Sequence, residues 1–165
     1  NMLVVVAAAL LVWRGNRDAL SDLAWLLIAL FMMLHAVGAH YTYAEAPPGF
    51  WIRDALDLER NHFDRVVHFS FGFLLAYPLR EYLARHVGGG GQLGGLLAFT
   101  LIATASALYE VLEWVVAAVV SPEAGLAYLG TQGDVFDAQR DTALAILGAA
   151  ITLLATRRRF AFRSG

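Results

Sequence analysis

Four short stretches hold the residues that could do chemistry. The first, N-H-F-D-R-V-V-H at 61–68, places Asp64 and His68 four residues apart. A helix puts both on one face, about 40° apart in projection, with Asn61 near them. A carboxylate oxygen and a neutral imidazole make a mixed donor pair for a divalent ion. The bland alternative pairs Asp64 with Arg65 or Arg60 at headgroup level and leaves His68 as a hydrogen-bonded packing residue. The second stretch, A-L-Y-E-V-L-E-W, sets Glu110 and Glu113 three apart in apolar sequence, with Ser106 one turn before Glu110. Neighbouring carboxylates in a low dielectric repel, so they need a metal, an arginine or a shared proton. An ion pair to Arg65 or Arg140 would be the structural solution.

The third stretch, T-Q-G-D-V-F-D-A-Q-R-D, holds Asp134, Asp137 and Asp141. On a helical wheel these fall within about 60°, with Gln139 and Arg140 turned away. Asp134 is expected to start or cap a helix and Asp137 to sit in its first turn, where an acid favours the positive end of the dipole. Asp141 faces inward with Asp137. The spacing fits neither an EF-hand loop nor the two-aspartate motif of prenyl transferases. In the fourth, His35 precedes Gly38, Ala39, His40, Tyr41, Thr42 and Tyr43. His35 and His40 are about 140° apart on a helix, so they do not share a site there. His35 faces with Thr42, while His40 and the tyrosines read as residues of the interfacial belt.

The elements that must position these groups are membrane helices. Of the 165 residues 59% are apolar and 16% charged, with a mean hydropathy of +0.58, which sets the chain apart from ordinary soluble domains. A net charge of −2 and dispersed arginines argue against nucleic acid as a partner. With no cysteine, disulfides and thiolate metal sites are excluded. Residues 2–13 read as the remainder of a first, truncated transmembrane helix, being too short alone for the roughly 20 residues a span takes. A turn at 14–18 leads to a helix from about Asp22, a candidate cap, to about Tyr43, which Pro47, Pro48 and Gly49 end. Residues 50–60 suit a short interfacial helix anchored by Trp51. Helices over about 62–84 (containing Pro78), 93–120 and 136–156 follow. They are separated by a glycine-rich linker at 87–95 and a loop at 121–136, and Arg80 with Glu81 is expected as an interface pair. The pattern predicts one domain, an all-α polytopic integral membrane bundle of about five transmembrane helices.

Arginine placement orients it. With five spans, one side carries Arg14, Arg17, Arg80, Arg85, Arg157, Arg158, Arg159 and Arg163, and the other only Arg53, Arg60, Arg65 and Arg140. The positive-inside rule then puts the C-terminus in the cytoplasm. All four stretches that could do chemistry fall at the outer side.

H-Y-T-Y at 40–43, N-H-F-D-R-V-V-H-F at 61–69, Y-E-V-L-E-W at 109–114 and G-D-V-F-D-A-Q-R-D at 133–141 together resemble the YjdF-like family of small bacterial inner-membrane proteins. The resemblance implies a multi-pass protein of the bacterial inner membrane and supplies no reaction. From the residues, the expected function is a divalent-metal-dependent membrane hydrolase acting on a lipid or lipid-linked small molecule near the outer face. Asp64, His68, Glu110, Asp137, Asp141 and His35 are its candidate ligands, for zinc first, with manganese, iron or magnesium also suited to such a donor set. Glu113 is the candidate general base toward a metal-bound water, and Arg65 or Arg140 the holder of a substrate phosphate or carboxylate. Two alternatives use the same residues: a proton- or cation-coupled transporter, and a non-catalytic scaffold with a buried ion-pair network.

Overall fold

The computed structural model describes residues 20–87 and 91–161, and there the chain forms helices and turns with no strand. The expected span at 2–13 and Arg14, Arg17 and Arg163 lie outside the described residues. Helix α1 runs Asp22–Tyr41. Its cap is Ser21, one residue before the expected Asp22, and the Ser21 hydroxyl accepts the Ala24 N–H at 3.3 Å. The helix ends at Thr42, which takes a left-handed conformation, so Thr42 does not continue the face of His35. Helix α2 spans Pro47–Leu56. The two prolines, expected only to stop the preceding helix, sit at the start of this one, where a missing N–H does no harm. Trp51 projects from it, 71% exposed.

Helix α3 covers Phe63–His86 with Pro78 inside it, and α4 covers Gly91–Val119. The linker between them is shorter than the glycine run implied, because α4 already begins at Gly91. The stretch 121–136, expected as loop, contains α5, Pro122–Leu129, started by Ser121 accepting from the Ala124 N–H. Helix α6 spans Asp137–Ala155 and the short α7 spans Arg157–Ala161. By length and apolar composition α1, α4 and α6 can each cross a membrane. Helix α3 is as long but more polar, and α1, α4 and α6 all pack against it.

The tightest contact joins α3 to α6. Small residues make it possible: a Cβ on Gly72 would run into the backbone of Ala145, and one on Gly148 into the backbone of Phe69 and Phe73. Without a hydrophobic drive between helices in lipid, such close backbone approach supplies the van der Waals energy of association. Thr152 adds a polar tie, its hydroxyl donating to the Phe73 carbonyl at 2.6 Å. Ala76, Leu83, Ala98, Ile102, Ala149 and Leu153 close the core among α3, α4 and α6.

The end of the bundle where α3 finishes is locked by buried polar groups. Arg80 donates to the Leu153 carbonyl and to the Gly91 carbonyl, each at 3.1 Å, and lies over the Phe160 ring. Glu81 bonds the Ser21 hydroxyl at 2.7 Å and pairs with Arg85. Arg80 and Glu81 are therefore not a pair with each other. One step along a helix turns them about 100° apart, and each is taken by a different neighbour.

Candidate metal centre

At the opposite end of the bundle α1 finishes, α3 begins, α4 finishes and α6 begins, so the four polar stretches meet there. The start of α3 is fixed first. Asn61, 1% exposed, donates its amide to the Ala46 carbonyl at 3.0 Å and accepts the Phe63 N–H at 2.9 Å. The Gln132 side chain bonds the Asn61 backbone on both sides, N–H and carbonyl. Gly49 leaves the room that the Asn61 side chain fills.

One turn into α3, His68 is buried and its Nε2 faces two carboxylates. Asp64 Oδ1 is 3.5 Å away and Glu110 Oε1, from α4, is 3.3 Å away. Asp141 of α6 joins them: Asp64, His68 and Asp141 each offer a donor atom within 4.8 Å of the others. Asp141 is 1% exposed and its Oδ1 has no hydrogen-bond partner. An Nε2–H can serve one carboxylate at a time, so three acids around one imidazole exceed what it satisfies. Donor atoms about 2.0–2.2 Å from a tetrahedral ion stand about 3.3–3.6 Å apart, and the two distances at Nε2 match that spacing.

Glu113, one turn beyond Glu110, has no arginine within ion-pair reach among the described residues, and neither has Glu110. The arginines expected as their structural partners are engaged elsewhere. Arg60, Arg65 and Arg140 all converge on Asp134 Oδ2, and Arg60 also reaches Asp137 Oδ1 at 2.9 Å. Asp137 thus stands in an arginine layer next to the Asp64–His68–Asp141 group. Helix α6 begins at Asp137, so Asp134 lies before the helix and off its wheel, accepting the Phe136 N–H at 3.1 Å. Partial burial works against ionisation of Asp134, yet the Phe136 amide and the Arg140 and Arg65 guanidiniums prevail and hold its carboxyl below the usual range. With His62 and Gln132 the three arginines line a cavity of about 520 Å³.

His35 does not touch the carboxylates. Its Nδ1 bonds the Tyr43 hydroxyl at 2.8 Å, and both residues line a second cavity together with His68. Tyr109 lies near Tyr43 and Glu113. Tyr43 is held by unusual backbone: Thr42 and Tyr43 have φ of 58° and 46°, and the Tyr43 ring lies where a Cβ on residue 38 would be, so Gly38 is required. Left-handed non-glycine residues cost about 1–3 kcal/mol each and persist where the surroundings fix them.

Sequence reasoning placed Asp64, His68, Glu110 and Asp141 at one end; the structure groups Asp64, His68 and Asp141 and sets Glu110 against His68. Sequence reasoning offered Arg60 only as a partner for Asp64 and Tyr43 only as a residue of the interfacial belt, and it did not single out Gln132 and Tyr109. Tyr109 carried a signal, since it directly precedes Glu110; Tyr43 carried one in its five-residue spacing from Gly38. The family described as predicted membrane protein (DUF2238) matches residues 1–161. Inner membrane protein YjdF of Escherichia coli (strain K12) is 37% identical over 153 residues, which cover 92% of this chain and 72% of that protein. No solved structure matches the chain.

Proposed function

We infer the function of this chain, which belongs to the DUF2238 family of predicted membrane proteins, from its excess of buried carboxylates. It is a divalent-metal-dependent enzyme of the inner membrane, a hydrolase of a lipid or lipid-linked substrate. The observation that carries this reading is His68 Nε2 set between Asp64 and Glu110 at 3.5 and 3.3 Å, beside the unpartnered Asp141. Buried carboxylates need a cation or a proton, and the arginines are spent on Asp134 and Asp137. Asp64, His68, Glu110 and Asp141 would hold the ion through one nitrogen and three oxygens, a donor set that zinc accepts and that also suits manganese or magnesium. Such an ion would have to accept a water beyond its four protein donors and would lower that water's pKa, and Glu113, one turn from Glu110, would take the proton. Arg65 and Arg140, in the adjacent arginine cavity, face the anionic group of the substrate. Arginine bias places this end of the bundle outside and the C-terminus in the cytoplasm.

The arginine layer also supports a structural reading of its own: three guanidiniums on one aspartate tie the starts of α3 and α6 together. That reading accounts for Asp134 and leaves Asp141 and Glu110 unexplained. The test of the enzyme is direct. Zinc-loaded protein in nanodiscs made from total bacterial lipid is assayed by mass spectrometry for released headgroups or acyl chains. A product that disappears on chelation and in Glu113→Gln supports the hydrolase. No product from any lipid class, with metal bound, overturns it.

A further inference from the structure

Helices α1 and α4 both lean on α3 but scarcely touch each other. Between them lies a cavity of about 270 Å³ whose walls are Phe31, Val67, Phe71 and Ala105. By helix rise, Phe31 lies about 15 Å and Phe71 about 12 Å in from the carboxylate end of their helices, at the depth of lipid chains. Its other lining residues are polar: His35, Tyr43, His68, Ser106 and Tyr109. One of these is without a partner: Ser106 is 2% exposed and its hydroxyl makes no hydrogen bond. An apolar pocket with one orphaned hydroxyl and a tyrosine–histidine pair has the division of an amphiphile. The apolar walls offer water no hydrogen-bond partners, and the medium at that depth is hydrocarbon.

We propose that the cavity between α1 and α4 binds one hydrocarbon chain of a membrane amphiphile, which arrives sideways from the bilayer and sets its polar linkage among Ser106, Tyr43 and Tyr109, beside His68. Tyr43 is the positioning residue of this slot. Its left-handed backbone and the open face of Gly38 aim the phenol at His35 and the cavity instead of at the headgroup layer. The proposal rests on the metal-enzyme reading for what happens to the bound molecule, and stands apart from it for binding.

The test uses the purified protein in nanodiscs containing phosphatidylethanolamine with a diazirine in one acyl chain. After irradiation, peptides carrying label are mapped, and metal content is measured on the same sample. Label is expected at Phe31, Phe71 or Ala105. It should fall by about tenfold or more in Ala105→Phe, as several methylenes lose their burial. Leu101→Phe, on the exposed face of α4, should leave it unchanged. Label confined to exposed positions such as Leu108 and Leu112, or cavity label indifferent to Ala105→Phe, overturns the slot. So does a cross-link from Ala105 to residues 1–19, which would mean that the chain fills its own cavity. Should Ala105→Phe not fold, the position of the label in the parent protein decides. A labelled slot without metal would remove the enzyme and keep the slot; metal with only surface label would do the reverse.

Discussion

Replacing Gly72 by alanine probes the link between helix packing and the site. Gly72 lies on α3 at the crossing with α6, and the added Cβ would face backbone, which cannot rotate aside. It would stand 2.8 Å from the Ala145 carbonyl carbon and 2.8 Å from the Ala149 nitrogen, with the Ala145 oxygen nearer still. Ordinary contact begins near 3.4 Å, so the two helices must part by at least about 0.6 Å. Overpacking of this kind costs about 1–3 kcal/mol, and the backbone on the far side argues for the upper part of that range. The same shift reaches the site, because Asp64 and His68 ride on α3 and Asp141 on α6. Metal–ligand distances tolerate about 0.2 Å, so affinity should fall about 10–100-fold, as it does when ligands lose their support. Thermal unfolding in detergent and competition with a chromogenic chelator measure the two effects. Gly95→Ala is the control, since its Cβ would meet only the end of the Arg80 side chain, at 3.5 Å. If Gly72→Ala behaves like that control in both assays, the α3–α6 contact does not set the site.

Other perturbations follow from single contacts. Arg80→Met would strip donors from the Leu153 and Gly91 carbonyls and should destabilise by about 3 kcal/mol; a loss under about 1 kcal/mol in thermal unfolding would refute the lock. Gly38→Ala and Tyr43→Phe attack one arrangement, so their stability losses should fall short of additive by about 0.5–1 kcal/mol in a double-mutant cycle, and strict additivity would contradict it. Stability should also fall on acidification in two steps. His62, whose pKa burial and then Arg65 and Arg60 depress below 6.5, contributes fully above that pH and loses its contribution as pH falls through the folded value. Asp134, held below its ordinary 3.8, contributes above that pH and is lost further into acid. Asp134→Asn should abolish the second step alone, and unfolding curves against pH would show otherwise if the arginines do not act through it.

The membrane class and most helix bounds were legible because apolar runs and their stops are local signals. The stretches that carry ionisable groups were legible for the same reason: an acid inside an apolar helix stands out. Partner choice was not, because it depends on which helix faces which. Glu110 could have met Arg65 on the wheel alone, and only the crossing of α3 with α6 and the loop before Asp137 send that arginine to Asp134. Arg80 and Glu81 look paired in sequence, yet adjacent helical residues face different neighbours, and backbone carbonyls as partners leave no mark in composition. The short helix at 122–129 was missed although Ser121 and Pro122 form a standard start, since glycine and the surrounding loop residues masked it. Tyr43 escaped because its position depends on left-handed backbone after the helix has ended.

The central claim is that Asp64, Glu110, Asp141 and His68 at one end of the bundle hold a metal ion. Elemental analysis of protein purified in detergent, beside Glu110→Gln and His68→Ala, tests it most directly. About one divalent ion per chain is expected in the parent, retained through gel filtration, and lost in both variants while their helical content stays intact. Parent protein that remains folded and metal-free after exposure to zinc, manganese and iron would contradict the claim, and protons would then have to neutralise Asp64, Glu110 and Asp141.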